Sequence, residues 1–350
     1  MLGLSKNHEY TLEKLNTLLG RAIPTTVQRI IFIGMGSSAS VSAILKGFFV
    51  AEQIPIAVEV VNDYALDYIL GRTPPSDDCS LYVISSFSGG SPEPLLAYEN
   101  LKGITSNIIF LTCGGELDAI GDREQVSCIH WRLKDCDREY PLFHAPQLFL
   151  ILLDILHRLG ILASNYQNEI KEALQSLEIS AQKINEAEKL AICLRNRNII
   201  LLASAKWHES ILPLLCMHFR EIAFAPTHRS LIHEFTHSEI ASCANPKVPQ
   251  AVILFQDPGD SIQVVQAVSR IKLLLGQANS TSTTSVVHMC RGHFIEQFLH
   301  TLVFISHVTY HLATYYDLES RELISQGAGN PWYNRHYIDE ESKNSANGIP

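Results

Sequence analysis

Apolar and polar positions along the chain follow two rhythms that take turns. Short, nearly continuous apolar runs read as buried strands, and the stretches between them repeat apolar residues at helical spacing. In the first half the strand-like runs are Gln28–Ile33, Ile54–Val61, Leu81–Ile84, Asn107–Leu111 and Ser127–Trp131. An apolar-faced helix is predicted over Val41–Glu52 and a short one over Tyr64–Leu70. Pro141–Leu162 is apolar on nearly every face, which predicts a helix buried between domains or between subunits. Strands alternating with helices predict a parallel sheet covered on both faces, with ligands received at the carboxyl ends of the strands.

The second half repeats this logic. Ile170, Ala173, Leu174, Leu177, Ala181, Ile184 and Leu190 recur at helical spacing, predicting one long amphipathic helix over Ser164–Arg195. The domain boundary is placed there, giving an N-terminal domain 1–163 and a C-terminal domain 164–350. Beyond it, strands are expected at Asn198–Ala203, Ala251–Phe255 and Ser285–Met289, with helices at His208–Phe219, Gln263–Leu275 and Phe294–Tyr316. The fold class expected is α/β, each domain a parallel sheet flanked by helices.

Composition narrows the function. Hydrophobic residues make up 46% of the chain and charged residues 18%, a globular balance, and the net charge of -9 argues against nucleic-acid or anionic-membrane partners. Eight cysteines stand without a C-x-x-C pair and read as thiols in a reducing compartment. Met1–Leu18 lacks a long apolar core, and Leu148–Leu162 is too short and too charged to span a bilayer. A cytoplasmic protein is expected.

Two loops carry the candidate chemistry. Gly34-Met35-Gly36-Ser37-Ser38-Ala39-Ser40 and Ser85-Ser86-Phe87-Ser88-Gly89-Gly90-Ser91 each join a predicted strand to a predicted helix, the second helix opening at Ser91-Pro92. Helix N-termini offer unpaired N–H groups, the glycines admit close approach, and the hydroxyls add donors, so the pair suggests one shared phosphate ester. Gly34-Met35-Gly36 followed by Asp63 also keeps a dinucleotide reading open, although Ala39 holds the place of the third glycine. In Arg220–Glu239, His228, His233 and His237 stand among Glu221, Glu234 and Glu239. His233-Glu234-Phe235-Thr236-His237 is formally H-E-x-x-H, a zinc spacing, but no third ligand follows at a metzincin distance and the motif is read as a coincidence.

Together the loops resemble a SIS (sugar isomerase) domain, and the whole chain resembles the bifunctional phosphoglucose/phosphomannose isomerase family. Gly34, Met35, Gly36 and Ser38 match the first loop of that family, Ser86, Ser88, Gly89 and Ser91 the second in type, and Thr112–Leu117 echoes a third signature. The resemblance implies two SIS-like domains and a sugar phosphate held by Gly36, Ser37, Ser38, Ser86, Ser88 and Ser91. Glu234-Phe235-Thr236-His237-Ser238-Glu239 matches the Glu-x-x-His-x-Glu core of the family. It implies Glu221 as the base of an aldose–ketose isomerisation through an enediolate and His237 as the ring-opening acid–base group. No metal or organic cofactor is implied. A homodimer with shared sites is, with His237 reaching the partner's Ser86–Ser91 loop.

The sequence departs from the family at three places. Leu142 follows Pro141 where the family has an Arg, with Arg138 or His144 as substitutes; Ala328 stands at the place of a C-terminal Lys; and Arg220-Glu221-Ile222-Ala223-Phe224 replaces the usual surround of the glutamate. Two functions are therefore expected: an isomerase interconverting glucose 6-phosphate or mannose 6-phosphate with fructose 6-phosphate, or a non-catalytic SIS-type sugar-phosphate sensor.

Overall fold

A computed structural model describes residues 27–62, 79–130, 141–163, 165–177, 180–245, 247–277 and 282–318. Asp63, the helix expected over Tyr64–Leu70, Trp131, Arg138 and Ala328 lie outside them, as do the side chains of Leu142 and His144.

The first half is built on strands β1 (Arg29–Gly34), β2 (Ala57–Val61), β3 (Ser80–Ser86), β4 (Ile108–Thr112) and β5 (Ser127–His130). They pair in the order β2-β1-β3-β4-β5, every pair parallel. Inner strands of such a sheet are covered on both faces, which is why β3 and β4 are buried throughout. The crossovers are α1 (Ser37–Ala51), α2 (Pro92–Leu101) and α3 (Gly115–Glu124), and α4 (Pro141–Arg158) follows β5.

Helices α5 (Asn165–Gln175) and α6 (Ala181–Leu194) lead into the second half. There α7 (Ala205–His208), α8 (Leu212–Met217), α9 (Ile232–His237), α10 (Ile262–Gln277) and α11 (Phe294–Tyr315) surround a second sheet. Its strands β6 (Asn198–Ala203), β7 (Thr227–Leu231), β8 (Gln250–Gln256) and β9 (Thr283–His288) pair parallel in the order β7-β6-β8-β9. The two sheets thus follow the same plan.

One hydrophobic core runs between them, from Ile30 and Phe48 through Phe149 to Leu201 and Phe298. Each such side chain, fully buried, contributes about 1.5–3 kcal/mol. Phe48 lies at its centre, edge to face with Phe149, Tyr166 and Phe294, while Phe294 stacks on Trp207 at 4.7 Å. Gly47 permits this contact, because a Cβ there would run into Ser210 at the α7–α8 turn. Helices α4 and α11 bury their apolar residues inside the chain, from Ala145 to Leu156 and from Phe294 to Leu312. Their apolarity is therefore spent within one subunit.

Three expectations are corrected. The long helix over Ser164–Arg195 is two helices: α5 ends at Gln175, and Ser180 caps α6 by accepting from the Lys183 N–H at 3.2 Å. The helix over His208–Phe219 is broken into α7 and α8, with Pro213 in the first turn of α8, and then widens into a π-type turn, His218–Ile222. Strand β7 and helix α9 lie in a segment with no predicted element.

Candidate functional site

In a doubly wound sheet, ligands collect where neighbouring strands send their crossovers to opposite faces. In the first sheet that crevice lies between β1 and β3, and the two glycine–serine loops leave from these strands. Gly34 pairs with Ser85 across the register, and a Cβ on Gly34 would stand 2.8 Å from Ser85 O and 3.2 Å from Ser38 Cβ. The close approach brings Ser38 and Ser85 to opposite sides of one spot.

The first loop turns into α1 through Gly36, whose φ of 57° favours glycine. Gly36 caps α1 without a side-chain hydrogen bond, and no acidic residue sits in the first turn, so the helix end keeps its donors and its partial positive charge. Ser37, Ser38 and Ser40 are buried at this end. In the second loop Ser86 Oγ donates to Ser91 Oγ at 3.1 Å, and the Gly90 N–H meets Ser88 Oγ at 3.4 Å. Ser91 is the N-cap of α2 with Pro92 behind it, as expected, but its hydroxyl makes no capping bond and stays turned to Ser86.

The third signature shapes the second loop rather than adding to its donors. Cys113 N–H donates to Phe87 O at 3.0 Å and Leu117 N–H to Gly89 O at 2.8 Å. Gly89, at φ 65°, packs so tightly on Gly114 that a Cβ would overlap the Gly114 carbonyl, and one on Gly115 would overlap Ser88 O. Glycine is required on both sides of this contact.

Sequence reasoning missed Ser85. Its hydroxyl is buried near the carboxyl end of β3, opposite Gly34, with no hydrogen-bond partner among the described residues. Buried polar groups are nearly always satisfied, so an orphan beside the two loops marks a place for a ligand or water.

Glu221 belongs to the π-type turn that directly follows α8. Met217, the last residue of α8, receives a contact from Ser40 Oγ at 3.1 Å on its sulfur and faces Gly36. The glutamate's turn is thereby docked against the first loop. Burial pushes the half-buried Glu221 carboxyl above its usual range. Beside it, Arg220 binds Thr227 O through Nε and Nη2, tying the turn to β7. A cavity of about 520 Å³ lies elsewhere, but the groove at this junction encloses about 920 Å³ between Gly36, Ser40 and Lys46 on one side and Lys206, Arg220 and Arg229 on the other. Its cations were visible in the sequence, but their convergence depends on how the two halves pack.

His237 ends α9 and is exposed; among the described residues no hydrogen bond or ion pair joins it to Glu221 or to either loop. Its neighbour His228 stands 3.5 Å from Glu239. His233 is exposed too, and among the described residues no third metal-ligand side chain gathers with His233 and His237.

The matching crevice of the second sheet, between β6 and β8, has no glycine–serine loop. The Asp257 carboxylate lies there, 5% exposed, accepting from Lys206 Nζ at 2.9 Å, Trp207 Nε1 at 2.7 Å, Gln297 Nε2 at 3.1 Å and Gly259 N at 2.8 Å. Burial opposes its charge, yet the Gly259, Lys206 and Trp207 donors hold the carboxyl below its usual range.

Strand order, crevice and loops together define an α/β protein of two parallel sheets, whose plan resembles that of SIS-domain phosphosugar isomerases. Within that class the chain resembles the bifunctional phosphoglucose/phosphomannose isomerases. Residues 183–323 match the family model of the bacterial phospho-glucose isomerase C-terminal SIS domain. A bifunctional phosphoglucose/phosphomannose isomerase from Caldicellulosiruptor bescii is 26% identical over 232 residues, 63% of this chain and 64% of that protein's length. Among solved structures, a candidate phosphosugar isomerase from Clostridium difficile superposes with TM-score 0.68 at 14% identity, covering 93% of this chain and 95% of that one. Tagatose-6-phosphate ketose/aldose isomerase from Escherichia coli does so with TM-score 0.61 at 13% identity, covering 89% and 88%. At these identities the structural likeness speaks for the fold.

Proposed function

We propose that the β1/β3 crevice binds a hexose 6-phosphate and that the chain interconverts its aldose and ketose forms, glucose or mannose 6-phosphate with fructose 6-phosphate. The observation that carries the reading is the crevice itself: α1 and α2 lack side-chain caps where they open beside buried serines, and the orphaned Ser85 hydroxyl lies at the carboxyl end of β3. The phosphate is assigned to Gly36, Ser37, Ser38, Ser86, Ser88 and Ser91.

In the proposed reaction the ring opens with a proton moved at the ring oxygen, the role given to His237. The Glu221 carboxylate then takes the C2 proton of the aldose, the electron pair forms the enediolate, and the same proton returns at C1 while a hydroxyl proton passes between O1 and O2. A carboxyl raised by burial is a stronger base than an exposed one, which suits this task. Local π-type geometry often marks functional positions, and it falls on Glu221 here. The chemistry asks for no metal or organic cofactor.

Because His237 is exposed and, among the described residues, unconnected to Glu221, the proposal places it in a second subunit's site, in a homodimer. Met35 and Val50 along the basic groove are 37% and 74% exposed, and their apolar surface supports a contact on the α1 face. No described helix is long and apolar enough to cross a membrane, and the working location proposed is the cytoplasm.

A second reading, a sensor that binds without turnover, is favoured by Leu142 in place of the family arginine. A coupled assay starting from fructose 6-phosphate, with glucose 6-phosphate and mannose 6-phosphate followed separately, decides between them. Turnover that depends on Glu221 supports the isomerase; saturable binding without product supports the sensor; neither binding nor turnover rejects both.

A further inference from the structure

We infer that Asp118, Cys128 and His130 form a site for one divalent transition-metal ion of borderline softness, such as Zn²⁺, at the outer edge of the first sheet. The inference does not depend on the isomerase reading.

The site follows from local geometry. Among the described residues, strand β5 is an edge strand paired only with β4. Cys128 and His130 are two residues apart on it and face the same way, while Ile129 between them turns into the core. Helix α3 lies against that face. At Gly121 an added Cβ would come 3.1 Å from Cys128 Cβ, so the missing side chain is what lets helix and strand close up. Asp118, three residues earlier, shares that helix face.

The three ligand atoms all lie within 4.8 Å of one another. Asp118 Oδ1 stands 2.5 Å from His130 Nε2 and 3.6 Å from Cys128 Sγ. Bond lengths of about 2.0–2.3 Å in tetrahedral zinc put neighbouring ligand atoms roughly 3.3–3.7 Å apart. The sulfur–oxygen separation already fits, and the oxygen–nitrogen pair must open by under about 1 Å. An aspartate–histidine pair alone requires no thiol beside it.

Chemistry selects the ion. Thiolate, imidazole and carboxylate make a mixed set that suits Zn²⁺ better than Mg²⁺ or Ca²⁺. Two anionic ligands and a neutral imidazole balance a divalent charge, and Asp122 adds negative charge nearby. On binding, Cys128 gives its proton to solvent as the sulfur–metal bond forms, and the ion sheds waters, keeping one at the fourth position. Leu117, next to Asp118, donates to Gly89 O, so the ion would fasten the part of α3 that supports the second loop.

The full chain, stripped by dialysis against a chelator, is titrated with Co²⁺ and read by thiolate-to-metal charge-transfer absorption. One equivalent is expected to bind in tetrahedral geometry, with Zn²⁺ displacing it. Cys128→Ser should abolish the charge-transfer band, and His130→Ala should weaken affinity at least about tenfold. In the unmutated chain, Zn²⁺ should slow alkylation of Cys128 selectively among the cysteines, as read by peptide mass spectrometry. A band that persists in folded Cys128→Ser overturns the site, as does Cys128 alkylation indifferent to Zn²⁺.

Discussion

Gly34 and Ser85 stand opposite each other in the β1–β3 register, and the glycine leaves 2.8 Å between where its Cβ would be and the serine's carbonyl oxygen. The Ser85 hydroxyl, buried beside this contact, has no hydrogen-bond partner among the described residues. Ser85→Ala should have opposite effects on stability and binding. Removing a buried, unsatisfied hydroxyl should leave the ligand-free chain as stable or raise it by up to about 1–3 kcal/mol. Affinity for fructose 6-phosphate should fall roughly tenfold or more, the loss of one hydrogen bond to a charged group. Thermal melting with and without ligand, alongside calorimetric titration, reads both; a variant that is destabilised and binds normally would remove Ser85 from the site.

Glu221→Gln should lower kcat by about 10²–10⁴ with KM little changed. Burial raises this carboxyl in the folded chain, so its proton is bound more tightly there than in the unfolded chain. The sign follows: stability from the protonated form is present at low pH and is lost as pH rises through the folded pKa. Glutamine cannot lose a proton, so the variant should melt higher than the parent at neutral pH and not at low pH. The acid limb of kcat against pH should lie above that of an ordinary carboxylate. A variant with unchanged kcat would assign the base elsewhere.

Asp154, inside α4, gives a separate pH signature. Burial raises its carboxyl to about 7, against the pull of Arg158. The folded chain is therefore favoured while Asp154 keeps its proton, and that contribution drains away between about pH 4 and pH 7. Asp154→Asn should flatten the denaturant midpoint across this window and be the more stable protein above it. Equal pH slopes in parent and variant would show that Asp154 does not titrate in this range.

Mixed subunits test the shared site. Glu221→Ala and His237→Ala chains, each inactive, should regain part of the activity when dimers exchange, because one composite site then has both groups intact. Demonstrably mixed dimers without activity, or a monomer in sedimentation, would place His237 outside the reaction.

Much of this was legible in the sequence for a physical reason. Parallel strands covered on both faces are continuous apolar runs, so β1, β3, β6 and β8 announce themselves, as does the glycine–serine content of the loops. Strand β7 reads Thr-His-Arg-Ser-Leu and sits at a sheet edge, where pairing with β6 outweighs its polar composition. The break between α5 and α6 was hidden because periodicity registers apolar spacing and not a serine cap. Ser85 was in view as a loop residue, but an orphaned hydroxyl is a fact of three dimensions, and so is the gathering of Lys46 and Arg229 around one groove.

The duplicated strand order leaves the chain with two crevices of one design but different tenants. In the second, Asp257 is a resident anion, and any incoming phosphate would have to evict a carboxylate already held by Lys206, Trp207, Gln297 and the Gly259 amide. Titration with a sugar phosphate should accordingly count one ligand per chain, despite the internal symmetry. The same carboxylate grips α11 through Gln297, so that helix stays anchored to the second sheet whether or not the first crevice is filled.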